Sequence, residues 1–241
     1  MTGPAHGARP TGPTSRRDLP SRPDLPSAPG ARLGKAISTV LFRSGYRLRV
    51  FGREHVPSTG GVLLASNHAG IVDGPMLLGV SPRPVHALVK EEMFRGPVGP
   101  ALRTIGQIAL RRDGGDRAAI TAALAVLRAG RVLAIFPEGT RGSGAVTSVE
   151  RGAAWLALRS GAPVVPVACL GTRPVKGTGL PRLRAHLDVV FGEPLVLGGA
   201  GSGRAGVDAA AASLQRTLAA HVVAAAALTG RPVPSDDTGS S

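Results

Sequence analysis

Short apolar runs alternate with helix-like segments along most of this chain, and the alternation limits the folds that the chain can adopt. Six runs have the length and composition of β-strands: GVLLASN, VHALVK, QIALRR, RVLAIFPEG, PVVPVACLG and HLDVVFG. Helical periodicity separates several of them, as in the segment that keeps Ile120, Leu124 and Leu127 on one face. The pattern predicts one α/β domain with a mostly parallel sheet flanked by helices, whose ligands usually lie at the carboxyl ends of strands.

The two ends of the chain lack this pattern. Residues 1–30 combine Pro, Gly, Ser and Arg with few apolar side chains, and residues 230–241 have a similar composition. Such segments bury too little apolar surface to offset the loss of chain entropy, so we predict disordered tails there. The remaining residues, 31–229, are then expected to form the folded domain.

Residues 31–49 have the pattern of a basic amphipathic helix that precedes the sheet. Its apolar stripe consists of Leu33, Ile37, Val40, Leu41 and Leu48. Its basic residues, which lie largely opposite the stripe, are Arg32, Lys35 and Arg43. Such a helix either packs on the sheet as an ordinary surface helix or lies in the plane of a membrane surface, and the pattern fits both.

The chain is strongly basic, with a formal net charge of +14. Residues 1–30 contain only four Arg and two Asp, so the predicted domain carries most of this charge. A basic domain expects an anionic partner such as nucleic acid, a phosphorylated metabolite or an anionic membrane surface. Because aromatic residues make up only 3% of the chain, stacking platforms for single-stranded nucleic acid are scarce. The composition therefore favours phosphate or membrane, without nucleic acid.

The cellular compartment is indicated by the lack of membrane-spanning and signal sequences and by the low cysteine content. No run of 18 or more apolar residues is present, and the first residues lack the apolar core of a signal peptide. The single cysteine, Cys169, excludes an intrachain disulfide and fits a reducing compartment. It stands within PVVPVACLG, which favours a buried thiol over a nucleophile. We expect a cytoplasmic protein.

The segment LLASNHAGIVDGP places polar residues directly after an apolar strand. His68 and Asp73 are five positions apart and meet only if the chain bends between them, which Gly70 permits. Asp73 precedes Gly74 and Pro75 in the manner of a helix N-cap. A carboxylate held there can fix the imidazole tautomer and make the histidine a general base. The alternative is that His68 merely ends a strand and Asp73 merely caps a helix.

A second polar segment follows another strand in AIFPEGTRG. Gly139 permits a tight turn, Thr140 offers a hydroxyl and Arg141 offers a planar fork of donors that suits phosphate oxygens. Taken alone, this string also fits a surface turn in which Arg141 pairs with Glu138.

NHAGIVD followed by FPEGTR resembles the glycerolipid acyltransferase family, which includes the 1-acylglycerol-3-phosphate O-acyltransferases. GQIALRR is similar to the second block of the family, with Arg112 at the matching position. APVVPVACLG is similar to the fourth block, centred on Pro166, and FGEPL is similar to the strand and turn that often close the domain. The resemblance spans residues 50–197, with every block in order.

The resemblance implies transfer of a fatty acyl group from an acyl-CoA or acyl carrier protein thioester to the hydroxyl of a lysophosphatidic acid-type acceptor, without a cofactor or metal. It implies that His68 is the base, that Asp73 supports it and that Asn67 completes the first block. The residues implied to bind the acceptor phosphate are Arg112, Glu138, Gly139, Thr140 and Arg141.

Three interpretations remain open from the sequence. The first is a phosphatidic acid-forming enzyme on the inner face of the cell membrane. The second keeps the enzyme but changes the acceptor to glycerol 3-phosphate or another lysophospholipid, because Gly142 and the Ala69-Gly70 pair replace serines that are common in the family. The third is a non-catalytic basic module that binds anionic lipid.

Overall fold

The computed structural model describes residues 25–111, 116–138, 144–175, 179–198 and 203–234. Within these ranges the strands are β1 (Arg47–Phe51), β2 (Val62–Ser66), β3 (Val85–Lys90), β4 (Ile108–Leu110), β5 (Val132–Ile135), β6 (Val164–Leu170) and β7 (His186–Phe191). The helices are α1 (Ala28–Gly45), α2 (Asp73–Val80), α3 (Glu91–Arg95), α4 (Gly99–Thr104), α5 (Arg117–Arg128), α6 (Arg151–Ser160) and α7 (Arg204–Thr229). A short 3₁₀ turn, Arg53–His55, follows β1.

The seven strands form one sheet in the order β1-β7-β6-β2-β5-β3-β4. The five strands from β6 to β4 are parallel to one another. Strand β7 pairs antiparallel with β6, and β1 pairs parallel with β7, so these two run in the opposite direction. The predicted α/β fold with a mostly parallel sheet flanked by helices is confirmed.

Helices cover both faces of the sheet. Helices α1 and α2 pack on one face, where Phe42 and Met76 join side chains such as Leu64 in a continuous core. Helices α5, α6 and α7 pack on the other face, where Leu156 and Leu214 contribute. Because central strands are buried on both sides, every residue of β2, β5 and β6 is buried. This explains why these strands read as continuous apolar runs in the sequence.

The N-terminal helix differs in its bounds from the prediction. It begins at Ala28, where the Ser27 hydroxyl accepts a hydrogen bond from the Gly30 amide, and it ends at Gly45. Residues 25–30 were therefore wrongly assigned to a disordered tail. Arg131 also donates a hydrogen bond to the Pro26 carbonyl at 2.7 Å. Residues 1–24 lie outside the described residues.

The predicted extension of this helix to residue 49 is also wrong, because residues 47–51 form β1. In this edge strand Leu48 and Val50 alternate with exposed Arg47 and Arg49. Alternation with a period of two fits a half-buried strand, and arginines on an edge strand discourage pairing with other chains.

Helix α1 packs through its small residues and exposes its large apolar ones. Its buried positions are Gly30, Ala31, Gly34, Ser38 and Phe42. The approach to α2 is close, because a Cβ atom at Gly79 would lie 2.8 Å from the Ser38 carbonyl carbon. The exposed side chains of the predicted stripe are Leu33, Ile37, Val40 and Leu41, with exposures of 48 to 67%. Helix α1 thus packs on the sheet, as one of the two interpretations predicted, but through the residues opposite the stripe, so the stripe itself faces away from the protein.

Helix α7 closes the other face of the sheet and was not identified as an element from the sequence. It is rich in alanine and ends at Gly230, which adopts the left-handed conformation common after helices. In the described part of the chain no helix is both long and apolar enough to cross a membrane.

The segment after α7 is anchored rather than free. The Arg231 guanidinium donates to Asp188 Oδ2 at 2.7 Å and to the His186 carbonyl. The Arg49 guanidinium reaches the same buried carboxylate, 2.5 Å from Oδ1. Residues 230–234 were therefore wrongly assigned to a disordered tail, and residues 235–241 lie outside the described residues.

The Asp188 carboxylate joins β1, β7 and the end of α7. Burial alone pushes its pKa upward, but the hydrogen bonds and charges of Arg49 and Arg231 outweigh burial and hold the pKa below its usual range. A carboxyl whose pKa is lower in the folded than in the unfolded state stabilises the fold above the unfolded pKa. That contribution is lost as pH falls through the folded pKa.

Asp188→Asn is therefore expected to lower the free energy of unfolding at pH 7 by about 1–3 kcal/mol, because it removes two charge-assisted pairs from a buried position. The deficit should shrink as pH falls below about 4, the ordinary pKa of an unfolded aspartate, because the unfolded wild-type chain then binds a proton that the folded chain binds only at lower pH. Urea unfolding at several pH values measures both effects. Asp208→Asn breaks the exposed pair with Arg151 and should cost under about 1 kcal/mol; an equal loss in both variants would contradict the argument.

Candidate active site

The polar segments identified from the sequence meet at one edge of the sheet. His68 follows the carboxyl end of β2, and Glu138 follows that of β5, the adjacent parallel strand. The helix after β2 packs on one face of the sheet and the helix after β5 packs on the other. Adjacent strands whose connections leave in opposite directions create a crevice at their carboxyl ends, where ligands of such sheets usually bind.

Asn67 fixes the end of β2 to the neighbouring strand β6. Its side chain is fully buried; Oδ1 accepts from the Cys169 amide at 2.7 Å, and Nδ2 donates to the Cys169 carbonyl at 3.1 Å. Nδ2 also lies 3.3 Å from the Gly144 carbonyl. A buried amide with three partners holds the backbone in place. Asn67 therefore supports the segment that carries His68.

His68 and Asp73 are in direct contact. The distance between His68 Nδ1 and Asp73 Oδ2 is 2.9 Å, and the Asp73 side chain is fully buried whereas that of His68 is 16% exposed. The same oxygen accepts hydrogen bonds from the amides of Ala69 and Gly70, each at 2.8 Å. The expected bend between positions 68 and 73 is therefore present. The Asp73 carboxylate stabilises it by hydrogen bonds to the ring of His68 and to the two amides that follow.

The prediction that Asp73 caps the helix is wrong, because Asp73 is the first residue of α2. The N-cap position is Val72, and the carboxylate turns back towards the preceding loop instead of bonding the helix amides. Pro75 lies in the first turn, as expected. Gly70 is required at the bend, because a Cβ atom there would lie 2.2 Å from the Thr172 carbonyl oxygen.

The imidazole of His68 is held from both sides. Its ring stacks on Phe136, with 4.3 Å between the ring centroids. Since Nδ1 contacts Asp73, Nε2 is the nitrogen left for a substrate, and no described residue hydrogen-bonds it. Phe136 was not identified from the sequence, where an aromatic residue at the end of a strand reads as ordinary core.

Glu138 contacts the backbone of His68. Its Oε1 accepts a hydrogen bond from the His68 amide at 2.8 Å. Burial raises the pKa of Glu138, and the His68 amide partly opposes that rise. The carboxylate thus ties the loop after β5 to the loop after β2.

Four of the predicted phosphate-binding residues, Arg112, Gly139, Thr140 and Arg141, lie outside the described residues. The residues that flank them are described. Leu110 ends β4 and Glu138 follows β5, both at the carboxyl edge that holds His68. Pro166, predicted as a supporting residue, lies within β6 opposite Ala65, away from this edge, and its carbonyl accepts from the Gly192 amide at 2.8 Å.

Cys169 is a buried thiol, as predicted. Its Sγ lies 3.4 Å from the Ser66 hydroxyl. Burial, reinforced by the Asp73 charge, raises the pKa of the thiol well above its usual range. A neutral buried thiol is a poor nucleophile. Across the described ranges, no group of three or more His, Cys, Asp or Glu residues is placed to hold a metal ion.

Comparison with known proteins supports the same fold and family. The family model described as Acyltransferase matches residues 47–170. The chain is 32% identical over 162 residues to the 1-acyl-sn-glycerol-3-phosphate acyltransferase of Bacillus subtilis, covering 66% of this chain and 79% of the relative. It is also 32% identical over 140 residues to the enzyme of that name from Borreliella burgdorferi, covering 56% of each.

A solved structure has the same fold. The crystal structure of the 1-acyl-sn-glycerophosphate acyltransferase PlsC from Thermotoga maritima superposes with a TM-score of 0.59 at 24% identity, covering 79% of this chain and 77% of that one. The order of strands, the site at their carboxyl edge and the match over residues 47–170 agree with the predicted glycerolipid acyltransferase relationship. This chain belongs to the acyltransferase family.

Proposed function

We propose that this enzyme transfers a fatty acyl group from a thioester donor to the free hydroxyl of 1-acylglycerol-3-phosphate, giving phosphatidic acid. The observation that carries the proposal is the contact of 2.9 Å between Nδ1 of the partly exposed His68 and a fully buried Asp73 carboxylate. The acceptor is inferred from the names of the two bacterial relatives.

In this mechanism His68 is the general base. The Asp73 carboxylate accepts the Nδ1 proton in a hydrogen bond, so the neutral imidazole carries its lone pair on Nε2. Nε2 removes the proton of the acceptor hydroxyl as the oxygen attacks the thioester carbonyl carbon. The resulting imidazolium is stabilised by Asp73 and returns the proton to the departing thiolate as the carbon–sulfur bond breaks.

We favour direct transfer between the two substrates over a covalent acyl-enzyme. The sequence contains no GxSxG nucleophile elbow, and the sole cysteine is buried with a raised pKa. A positioned base can supply about 10²- to 10⁴-fold of the rate in such a reaction. The donor in this proposal is an acyl-CoA or acyl carrier protein thioester.

We assign the acceptor phosphate to Arg112 and Arg141, with Gly139 and Thr140 in the same segment. The assignment rests on the family motif and on the positions of β4 and β5, which end at the edge that holds His68. Arginine suits this task because its planar fork binds phosphate oxygens in pairs. Glu138 then acts indirectly, since its carboxylate is bonded to the His68 amide.

We further propose that the enzyme lies on the inner face of the cell membrane without spanning it. Helix α1 exposes four large apolar side chains to solvent, together with Arg32 and Arg43. Lys35 is directed elsewhere, because its ammonium donates to the Ser81 carbonyl. An exposed apolar stripe with basic residues beside it fits the interface of an anionic bilayer.

His68→Ala is expected to reduce acyl transfer about 10²- to 10⁴-fold while leaving the melting temperature nearly unchanged, because the ring is partly exposed and its loss opens no core cavity. Asp73→Asn should lose comparable activity through a wrongly oriented imidazole, with some loss of stability. Turnover is measured with a panel of lysophospholipids and glycerol 3-phosphate as acceptors and with both donors.

His55→Gln, which changes a histidine beyond the end of β1, serves as the control and should remain active. A His68→Ala enzyme with wild-type turnover on every acceptor would refute the mechanism. An inactive wild type that still binds anionic vesicles would instead favour the non-catalytic lipid-binding interpretation.

Arg141→Lys is expected to lower kcat/KM for a phosphate-bearing acceptor about ten- to over a hundredfold, because a bidentate charge-assisted contact is replaced by a single ammonium. The KM for the donor thioester should change much less. Measuring both Michaelis constants and the melting temperature separates this role from a structural ion pair, which would lower stability and affect both substrates alike.

Ile37→Glu is expected to weaken sedimentation with anionic vesicles, because it places a charge in the middle of the exposed stripe of α1. The electrostatic part of binding, about 1 kcal/mol per exposed basic residue near the surface, should be lost at high salt. Val196→Glu changes another exposed apolar side chain, in the segment after β7 beside the start of β6, and should bind as the wild type does. Equal binding of all three proteins would exclude α1 from the membrane contact.

A further inference from the structure

A tight turn between β6 and β7 presents a leucine to solvent. Leu183 is 76% exposed, more than any other large hydrophobic side chain in the described part of the chain. Its two neighbours, Arg182 and Arg184, are exposed as well. A single exposed leucine needs no explanation in a soluble protein. At Leu183, however, the conformation and hydrogen bonds of the neighbouring backbone fix the side chain in its exposed position.

The turn directs Leu183 outward through a backbone conformation that residues other than glycine rarely adopt. Arg184 has φ 60°, in the left-handed region where residues other than glycine are uncommon. Two hydrogen bonds maintain it: the Arg184 amide donates to the Gly45 carbonyl at 2.7 Å, and the Ala185 amide donates to the Arg182 carbonyl at 3.0 Å. An unfavourable conformation maintained by its surroundings is a feature that often accompanies a functional role.

The turn continues the apolar stripe of α1. Gly45 is the last residue of that helix, one turn and about 6 Å beyond Leu41. A Cβ atom on Gly45 would lie 3.7 Å from Leu183 Cδ1, so the leucine side chain sits against the end of the helix. Leu33, Ile37, Leu41 and Leu183 therefore form one exposed apolar surface shared by two elements that are distant in sequence.

The charges around Leu183 identify the kind of surface it fits. Arg182 and Arg184 flank it within the turn, and Arg43 and Arg47 are exposed at the adjoining end of α1 and start of β1. An apolar tip surrounded by arginines matches the interface of an anionic bilayer, where a side chain enters the acyl region and guanidinium groups bind lipid phosphates. A purely apolar protein partner would leave these arginines desolvated and unpaired.

We propose that the turn of residues 182–185 is a second bilayer contact, in which Leu183 enters an anionic lipid surface while Arg182 and Arg184 bind its phosphates. This rests on the proposed membrane association through α1 and adds a second point of attachment. Because Leu183 lies beyond the C-terminal end of α1, the two contacts together restrict the tilt of the enzyme on the bilayer surface.

The second contact brings the active-site edge towards the lipid. The turn precedes β7, which runs antiparallel to β6, so it lies at the edge where β6 and β2 end. At this edge the loop that carries His68 packs on the loop after β6, as the close approach of Gly70 to the Thr172 carbonyl shows. The site would thus open near the surface that holds a lipid acceptor.

Site-specific fluorescence tests the contact directly. The sole cysteine, Cys169, is fully buried, so Leu183→Cys introduces an accessible thiol for an environment-sensitive dye. Val196→Cys is the matched control, since Val196 is 70% exposed in the segment after β7 beside the start of β6. With vesicles of phosphatidylcholine and phosphatidylglycerol, the dye at 183 should shift to the blue and be quenched by spin-labelled lipid acyl chains, whereas the dye at 196 should not respond.

Vesicle sedimentation provides the second measurement. Leu183→Glu is expected to weaken binding at least about fivefold relative to Val196→Glu, because an apolar side chain buried in the bilayer is replaced by a charge, with both proteins keeping the wild-type melting temperature. Arg184→Gly keeps the left-handed turn and removes the guanidinium with its side chain, so it should weaken binding to anionic vesicles much more than to neutral ones.

These readouts do not depend on acyl transfer, so they separate the two proposals. If the dyes at 183 and 196 respond alike, or if Leu183→Glu binds as tightly as Val196→Glu, the second contact is refuted while the proposed enzyme activity stands. Self-association that depends on Leu183 without lipid would also refute it, since the turn would then bind a second copy of the chain. Loss of turnover in a variant that still binds vesicles bears only on the proposed activity.

Discussion

One carboxylate oxygen organises the candidate active site. Oδ2 of Asp73 accepts hydrogen bonds from His68 Nδ1 and from the amides of Ala69 and Gly70, all within 2.9 Å. The other oxygen, Oδ1, is buried without a partner among the described residues. Burying a charge in this way is costly unless the surroundings favour it. Here the three donors and the N-terminus of α2, where Asp73 is the first residue, supply the positive potential.

The same loop is held by two further polar contacts from different strands. Asn67 ties its start to β6, and Glu138, from the segment after β5, binds the amide of His68. The three side chains thereby lock a short stretch of backbone whose own geometry positions the imidazole. Asn67 and Glu138 bind backbone groups, and Asp73 binds both backbone amides and the ring, so the ring orientation is determined before any substrate arrives. Such preorganisation is what a positioned base requires.

The sequence predicted the central strands and the His68–Asp73 contact because both depend on local patterns. Strands β2, β5 and β6 are buried on both sides and therefore appear as continuous apolar runs. The contact spans five positions with a glycine between them. By contrast, Glu138 lies 70 positions from His68, and Asp188 lies 139 positions from Arg49, so only the fold brings these pairs together.

The errors at the two ends have similar physical origins. Strand β1 resembles a continuation of α1, because Leu48 extends the helical stripe and only pairing with β7 makes residues 47–51 a strand. Arg231 reads as part of a polar tail, because the carboxylate that anchors it stands on β7. Composition identifies segments that cannot form a core by themselves. It does not identify segments that a single buried ion pair attaches to a core formed elsewhere.

Helix α1 shows why an apolar stripe does not by itself reveal which face of a helix is buried. A surface helix usually turns its large apolar residues inward, since their burial supplies most of the stabilisation. In α1 the inward face combines Phe42 with the small residues Gly30, Ala31, Gly34 and Ser38. Ser38 permits close backbone approach to α2 at Gly79, whereas Gly30 and Gly34 lie against Thr104 and Ile105. Close contact at the small residues therefore accompanies a single large buried side chain, Phe42, on that face. The large residues remain exposed, an arrangement that water disfavours and that a lipid interface stabilises.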